Sequence, residues 1–463
     1  MEGLNAIRIS LWAAAACLGA VVGARLVLGP YSVAGIAVNA PLNPEGVFGM
    51  LVVALLAWRC RPVPEAESYS PWMLRTVALL AMVALFPALR VYFVSDDFIL
   101  VRQAQTFSAS VFTSAGGDGF FRPLGYVSLT INAWIARFDP LWWHASALCL
   151  HAVNAVLVAL LARRLRANLG VALLAGCLFA LHGTHLEAAV WIAGRFDLLA
   201  AMFTLGTLLF YGRNTAVALV LALAALWSKE AAYVLPLLVA IVARWERRSW
   251  ASVAPYAGLT AAAFVYRWML LGGIGGYRES SGEAAFYSLK FSTTAKAVFV
   301  RLWTSLVFPT NWSIDPSVVV GILGIVYIGA LLWLAWRGGT PQVRWMLLGL
   351  GLSILPPLHL LGGAADLSGG RLLYLPSIWF CLLLAFASAG LPKRETLAVS
   401  AALLVFHFAA VQHDLAFWQR TSDTVRAICA SPNPVVNPPI MIDGVPALAN
   451  GLSDCIAISQ RLQ

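Results

Sequence analysis

The sequence predicts an all-α, polytopic integral membrane protein, and three observations carry that class. Of its 463 residues, 60% are apolar and only 11% charged, with a mean hydropathy of +0.80; soluble domains hold about 25% charged residues. The apolar residues gather into long runs, and a helix needs ~20 such residues to cross a bilayer. The basic residues behind the net charge of +10 sit in short loops between the runs. There they set orientation in a membrane, which is a better use for them than nucleic-acid binding.

The first run, "LWAAAACLGAVVGARLVLG" from Leu11, has the look of a signal peptide. It lacks a basic leading region and a small-residue cleavage site, and more runs follow, so it reads as a helix. In order, the runs predict helices at about 8–28, 46–58, 74–94, 143–162, 168–190, 197–212 and 214–228, then 231–244, 250–272, 315–336, 345–361, 372–390 and 396–413. The expectation is about thirteen spans, within a range of ~11–15 because several runs are short.

Basic loops such as "ARRLRAN", "YGRNT", "ARWERRSW" and "PKRE" occur at alternating helix ends, as does the longer loop around Cys60. The positive-inside rule makes those ends cytoplasmic, together with the N-terminus. The C-terminal segment and Asp96 are then extracytoplasmic, periplasmic if this is the inner membrane of a Gram-negative bacterium. Two further apolar stretches, 123–138 and 291–308, would invert every later loop if they crossed. They are expected to lie in the outer interface, with Arg137, Lys296 and Arg301 toward the polar side. The predicted organisation is two N-terminal helices and a cytoplasmic loop (1–70), a membrane domain (71–413) and a short extracytoplasmic segment (414–463).

That topology exposes charges on the side that should be poor in them: Arg122, Arg195, Lys229 and Arg371, accompanied by Asp96, Asp97, Glu187, Asp197, Glu230 and Asp366. A charge deep in hydrocarbon costs roughly 2.5–3.5 kcal/mol, so such groups pair or face water. Singly each is an ordinary helix-end charge held at the interface. Together on one face they point to a polar cavity open to the outside.

In "LHGTHLE", His182 and His185 share a face if the helix continues. With Glu187 they could hold a divalent cation if the helix ended at Gly183; the favoured alternative is two histidines hydrogen-bonded to backbone or to Glu187. No cofactor is otherwise indicated. "GGIGGYRESSGEAAFYSL" lacks the GK[ST] of a nucleotide loop and reads as an outer loop, a candidate lid. Of seven cysteines, Cys17, Cys149, Cys177 and Cys381 lie in apolar runs. Cys429 and Cys455 fall in the polar C-terminal segment, where an oxidising compartment would let them pair.

Several of these strings, in this order, resemble membrane glycosyltransferases of the GT-C superfamily. The nearest likeness is to bacterial relatives of the transmembrane O-mannosyltransferases that carry tetratricopeptide repeats, with protein O-mannosyltransferases further off. The strings are the acidic pair Asp96–Asp97, "FRPL", "HASALCLHAVNAVLVALL", "LHGTHLEAAVWIAGRFDLLA", "SKEAAYVLPLL" and "GGRLLYLPSIWFCLLLA". Two extra helices precede this stretch, Gly183 stands where relatives have proline, and no repeat array follows.

The resemblance implies transfer of a sugar from a polyprenyl-phosphate donor to a hydroxyl of a glycan, lipid or protein on the outer face. Asp96, the first acid of the motif, is then the expected general base, with Asp97 and Glu187 orienting it, binding sugar or holding a cation. Arg122, Arg195, Lys229 and Arg371 are candidates for the donor phosphate. His182 and His185 are candidates for the acceptor side. The rival class is a transporter or lipid-linked sugar flippase, for which paired acids and isolated arginines also serve. A transporter would place them at the midplane within inverted repeats, and no repeat is visible.

Overall fold

In the computed structural model the apolar runs fold into helices whose lengths differ from the spacing of the runs. It describes residues 2–28, 32–33, 36–37, 44–58, 71–114, 119–277, 291–311, 315–361, 367–431, 439–448 and 452–462. Cys60, Asp366 and the Gly-rich string beyond Tyr277 lie outside the described residues.

The first half contains α1 (Glu2–Leu28), α2 (Pro44–Trp58), α3 (Pro71–Ala84), the short α4 (Asp97–Gln103), α5 (Pro123–Ala136) and α6 (Pro140–Arg164). Next come α7 (Leu169–Leu181), the single turn α8 (Leu186–Ala189), α9 (Arg195–Phe210), α10 (Thr215–Leu226), α11 (Leu235–Trp245) and α12 (Ala254–Leu271). The chain continues through α13 (Phe291–Lys296), α14 (Leu302–Val307), α15 (Val318–Arg337), α16 (Gln342–Ile354), α17 (Tyr374–Ser388), α18 (Lys393–Ala430) and α19 (Leu452–Leu462). Asn168 and Asn214 begin α7 and α10 by accepting the amides of Val171 and Val217, satisfying donors that a helix start leaves open.

The described residues do not show thirteen spans. Six helices are long and apolar enough to cross a membrane, or seven if the pair bent by 50° at α7 and the turns after it counts as one. Each of the thirteen runs does become helical, but local breaks shorten many of them. The run at 74–94 breaks where Pro87 follows Leu85 and Phe86, leaving α3 with 14 residues, about 21 Å of rise against a core of ~30 Å. The molecule is an all-α integral membrane protein with several short or broken helices among its spans.

The stretch 291–308 also departs from expectation. It forms α13, a π-turn and α14, whose six residues are all buried. Its neighbour is α2, where a Cβ on Gly46 would lie 2.3 Å from the Val300 carbonyl oxygen and one on Gly49 2.6 Å from Val307. Glycine at both positions lets the backbones approach, so this stretch packs into the bundle and Arg301 points inward to the Ser368 carbonyl. Lys296 and Arg137 remain exposed, and α5 exposes Ile131, Trp134 and Ile135 at its periphery.

The two ends of the bundle differ in chemistry. At one end Arg164 closes α6, donating to the carbonyls of Leu209 and Tyr211 and to Glu246 at 2.6 Å. The other end gathers the start of α6, the breaks after α7, the first turn of α9 and the last residues of α10. There a second hydrophobic cluster joins 91–94, α4 and Trp191 to the lower part of α18, the C-terminal hairpin and α19.

Candidate active site

The acidic pair is aimed by its backbone. Residues 91–94 are buried and outside any helix or strand, and Ser95 then takes a left-handed turn with φ of +49° before α4 begins. A non-glycine residue there is strained and persists only where its surroundings hold it. The Ser95 amide donates to the Ala447 carbonyl at 2.6 Å. On the inner side, Asp97 is fully buried and accepts the amides of Val94 at 3.1 Å and Ala193 at 3.2 Å. Burial pushes its carboxyl well above the usual carboxylate range, against the pull of those amides. Asp97 fastens two backbone segments, while its neighbour Asp96 is half-buried and lines a cavity of about 650 Å³.

Three of the four expected cations line the same cavity: Arg122, Lys229 and Arg371. Each is already paired with a carboxylate. Arg122 donates to Glu230 Oε2 from Nη2 at 2.7 Å and from Nε at 3.0 Å, with its guanidinium 3.9 Å from the centre of the Phe120 ring. Burial works to raise the Glu230 carboxyl, but Arg122 and Arg267 outweigh it and hold it below the usual range. Lys229 Nζ lies 2.5 Å from Asp197 Oδ2; burial lowers its ammonium to about 8 in spite of that partner. Arg371 lies 4.2 Å over the Trp191 ring and donates to the Tyr277 hydroxyl at 3.1 Å, while its own amide donates to Glu187 Oε2 at 2.9 Å. Gly370 permits this approach, since a Cβ there would meet the Thr184 carbonyl at 3.0 Å.

Arg195 does not join them. Its side chain is buried and donates to Asn132 Oδ1 at 3.2 Å, the Trp143 carbonyl at 3.3 Å and Ser146 Oγ, tying α9 to α5 and α6. The first turn of α9 faces inward at Arg195, so an arginine expected at the phosphate is instead an internal strut.

The histidines are also interior. α7 stops at Leu181 and His182 is extended, yet the two rings remain neighbours, with centroids 5.3 Å apart and planes tilted by 35°. His182 Nε2 donates to the Leu306 carbonyl at 2.9 Å and its Nδ1 accepts from Thr184 Oγ1 at 2.8 Å. His185 Nδ1 donates to the Phe179 carbonyl at 2.8 Å, and Nε2 lies 2.6 Å from Ser377 Oγ. Neither lines the cavities described, and Glu187 turns away to Arg371. The three form no cation cage, and no group of three or more metal-ligating side chains occurs among the described residues.

Phe120, Arg122, Lys229 and Tyr277 also border an adjoining cavity of about 200 Å³, whose wall is mostly apolar: Tyr233, Phe264, Pro356, Pro357, Leu360 and Leu372. Its rim carries Gly275 and Gly276, and the Gly276 amide donates to the Gly119 carbonyl at 3.0 Å. Both glycines have positive φ, and a Cβ on Gly275 would sit 2.4 Å from Leu271. A third cavity, about 260 Å³, reaches Arg371 from its other side beside Glu187, Trp191 and Arg301.

Sequence reasoning missed Arg267, Tyr277 and Trp191. Arg267, buried in α12 and 3.5 Å from Glu230, carried a readable signal as an isolated arginine in an apolar run. The aromatic residues carried none, because apolar runs and loops of membrane proteins are full of them.

The chain is thus an integral membrane protein with a carboxylate and a ring of paired cations around one cavity. Comparison with known proteins finds relatives that are named as protein O-mannosyl-transferases. Drosophila melanogaster Tmtc2, named as a protein O-mannosyl-transferase, is 40% identical over 103 residues, 22% of this chain and 11% of that protein. Tmtc1 of the same species is 36% identical over 126 residues, 26% of this chain and 15% of the relative. F38B6.6 of Caenorhabditis elegans, also named as a protein O-mannosyl-transferase, is 24% identical over 323 residues, 63% of this chain and 46% of its own length. The chain therefore aligns with less than half of each of these relatives. No family model matches it.

Proposed function

We propose that the chain is a GT-C-type glycosyltransferase that moves a sugar from a polyprenyl phosphate to an acceptor hydroxyl on the extracytoplasmic face. Residues 71–413 would form its catalytic membrane unit. The observation that carries this reading is the shared cavity: Asp96 lines it together with Arg122, Lys229 and Arg371, and it adjoins a second one whose wall is mostly apolar. The acceptor hydroxyl gives its proton to Asp96 as its oxygen bonds the anomeric carbon. The bond from that carbon to the phosphate oxygen breaks, and the electron pair leaves with the lipid phosphate. Fixed cations along the cavity favour that departure by stabilising the negative charge that grows on the phosphate. Their carboxylate partners keep them oriented and nearly neutral as pairs while the site is empty. The apolar cavity suits the first isoprene units of the lipid. The relatives' names favour a protein hydroxyl as acceptor and mannose as the sugar.

Incubating membranes that contain the protein with radiolabelled polyprenyl-phosphate sugars tests the reading. Label should appear in an acceptor only when the protein is present; failure with every lipid-phosphate sugar would remove it.

The Lys229 ammonium gives a pH signature. Its charged form exists below about pH 8, so donor capture should weaken as pH rises through that value. The alkaline limb of kcat/KM reports groups of the free enzyme. That limb is expected near pH 8 in the wild type and should vanish in Lys229→Arg, which stays charged. An unchanged limb in Lys229→Arg would take Lys229 out of donor binding.

A further inference from the structure

The aim of Asp96 is set from the far end of the chain. Ser95, strained at φ +49°, keeps its turn with its amide on the Ala447 carbonyl. Ala447 is fully buried and follows a small antiparallel hairpin that pairs Met441–Ile442 with Val445–Pro446. The hairpin is tied to α18 through Thr421 Oγ1, which donates to the Ile442 carbonyl at 3.1 Å, and through Arg420 and Asp443 at 3.3 Å. Beyond it, α19 lies against α4, with Asp454 paired to Arg102. Cys455 of α19 is disulfide-bonded to Cys429 of α18, with their Cα atoms 5.4 Å apart. The covalent loop from 429 to 455 therefore encloses Ala447.

We propose that residues 439–448 and 452–462 act as a strap that positions Asp96, with the Ala447 carbonyl as its contact on the turn and the Cys429–Cys455 bond as its lock. The inference rests on Asp96 being the base. None of the strap's described residues lines the cavity that holds Asp96; Met441 and Pro446 line the third cavity, beside Glu187 and Arg371, so the strap reaches Asp96 through the backbone at Ser95. Ala447, Val445 and Cys455 share one apolar cluster with Phe93, Val94 and Val101. Freeing the lock lets that cluster slip and the turn relax, and a displacement of ~1 Å at a reacting group can cost on the order of 100-fold.

The test measures sugar transfer and donor KM for full-length Cys429→Ala/Cys455→Ala, alone and combined with Asp96→Asn. The lock variant should lose about tenfold in kcat with donor KM unchanged. In the Asp96→Asn background it should lose nothing further, since residues acting through one group are not additive. Should the double alanine variant fail to fold, Asp454→Asn loosens the same strap at the partly exposed Arg102 pair, with the same kcat-only loss expected. Unchanged kcat in the folded strap variants, or a full extra loss on top of Asp96→Asn, overturns the strap while leaving Asp96 as base. Full transfer by Asp96→Asn itself would overturn the base assignment and the strap with it.

Discussion

Asp96→Asn is expected to fold and insert as the wild type does yet lose at least ~100-fold in transfer rate, since general-base catalysis contributes about 10²–10⁴-fold. The amide keeps the size of the side chain and part of its hydrogen bonding but accepts no proton. Donor binding should survive, because the cations and the apolar cavity are untouched. Asp97→Asn should behave differently. Asp97 holds the Val94 and Ala193 amides from a fully buried position, and an amide NH₂ opposes one of these donors. An unsatisfied buried donor costs about 1–3 kcal/mol, so the loss should appear mainly in thermal stability. Initial rates at saturating donor and melting curves on purified protein separate the two outcomes. Near-normal transfer by Asp96→Asn would make the residue a marker of the water boundary and send the search for the base to Glu187 or Asp197.

Arg122→Ala should lower kcat/KM for the donor by about 10- to 100-fold, the loss of a charge-assisted hydrogen bond worth about 1.5–3 kcal/mol. Arg371→Ala should do the same. Both line the cavity, and both have partners that stay partly held: Glu230 keeps Arg267, and Glu187 keeps the amide at position 371. Arg195→Ala should instead lower stability and spare donor KM, because its guanidinium spans Asn132 and the Trp143 carbonyl away from the cavity. Arg164→Ala belongs with Arg195, since that arginine closes helix ends at the opposite end of the bundle. Assays at matched amounts of folded protein decide the matter; equal donor KM in all four variants would dissolve the phosphate clamp.

Much of the candidate site was legible as a set of residues. Charged groups in so apolar a chain are few, and each needs a partner or water, so their positions in the sequence already picked out Arg122, Lys229, Arg371, Asp197, Glu187 and Glu230. The pairing among them was not legible. Lys229 meets Asp197 and Arg122 meets Glu230 only because the ends of α9 and α10 and the loop before α5 converge.

By itself, the sequence determined the solvent of this protein and the helical character of its runs, because hydrocarbon leaves the backbone no partner but itself. It also determined which ionisable groups had to be accounted for. Tertiary structure decided the number of helices long enough to cross, since breaks at positions such as Pro87 and His182 divide runs that are continuous in hydropathy. It decided which neighbour of the acidic pair faces the cavity, and that Arg195 and the two histidines face inward. The physical reason is that a side chain's direction follows from the backbone dihedrals of its own turn. At Ser95 those dihedrals are held by a carbonyl from the far end of the chain, a contact that no local pattern of residues encodes.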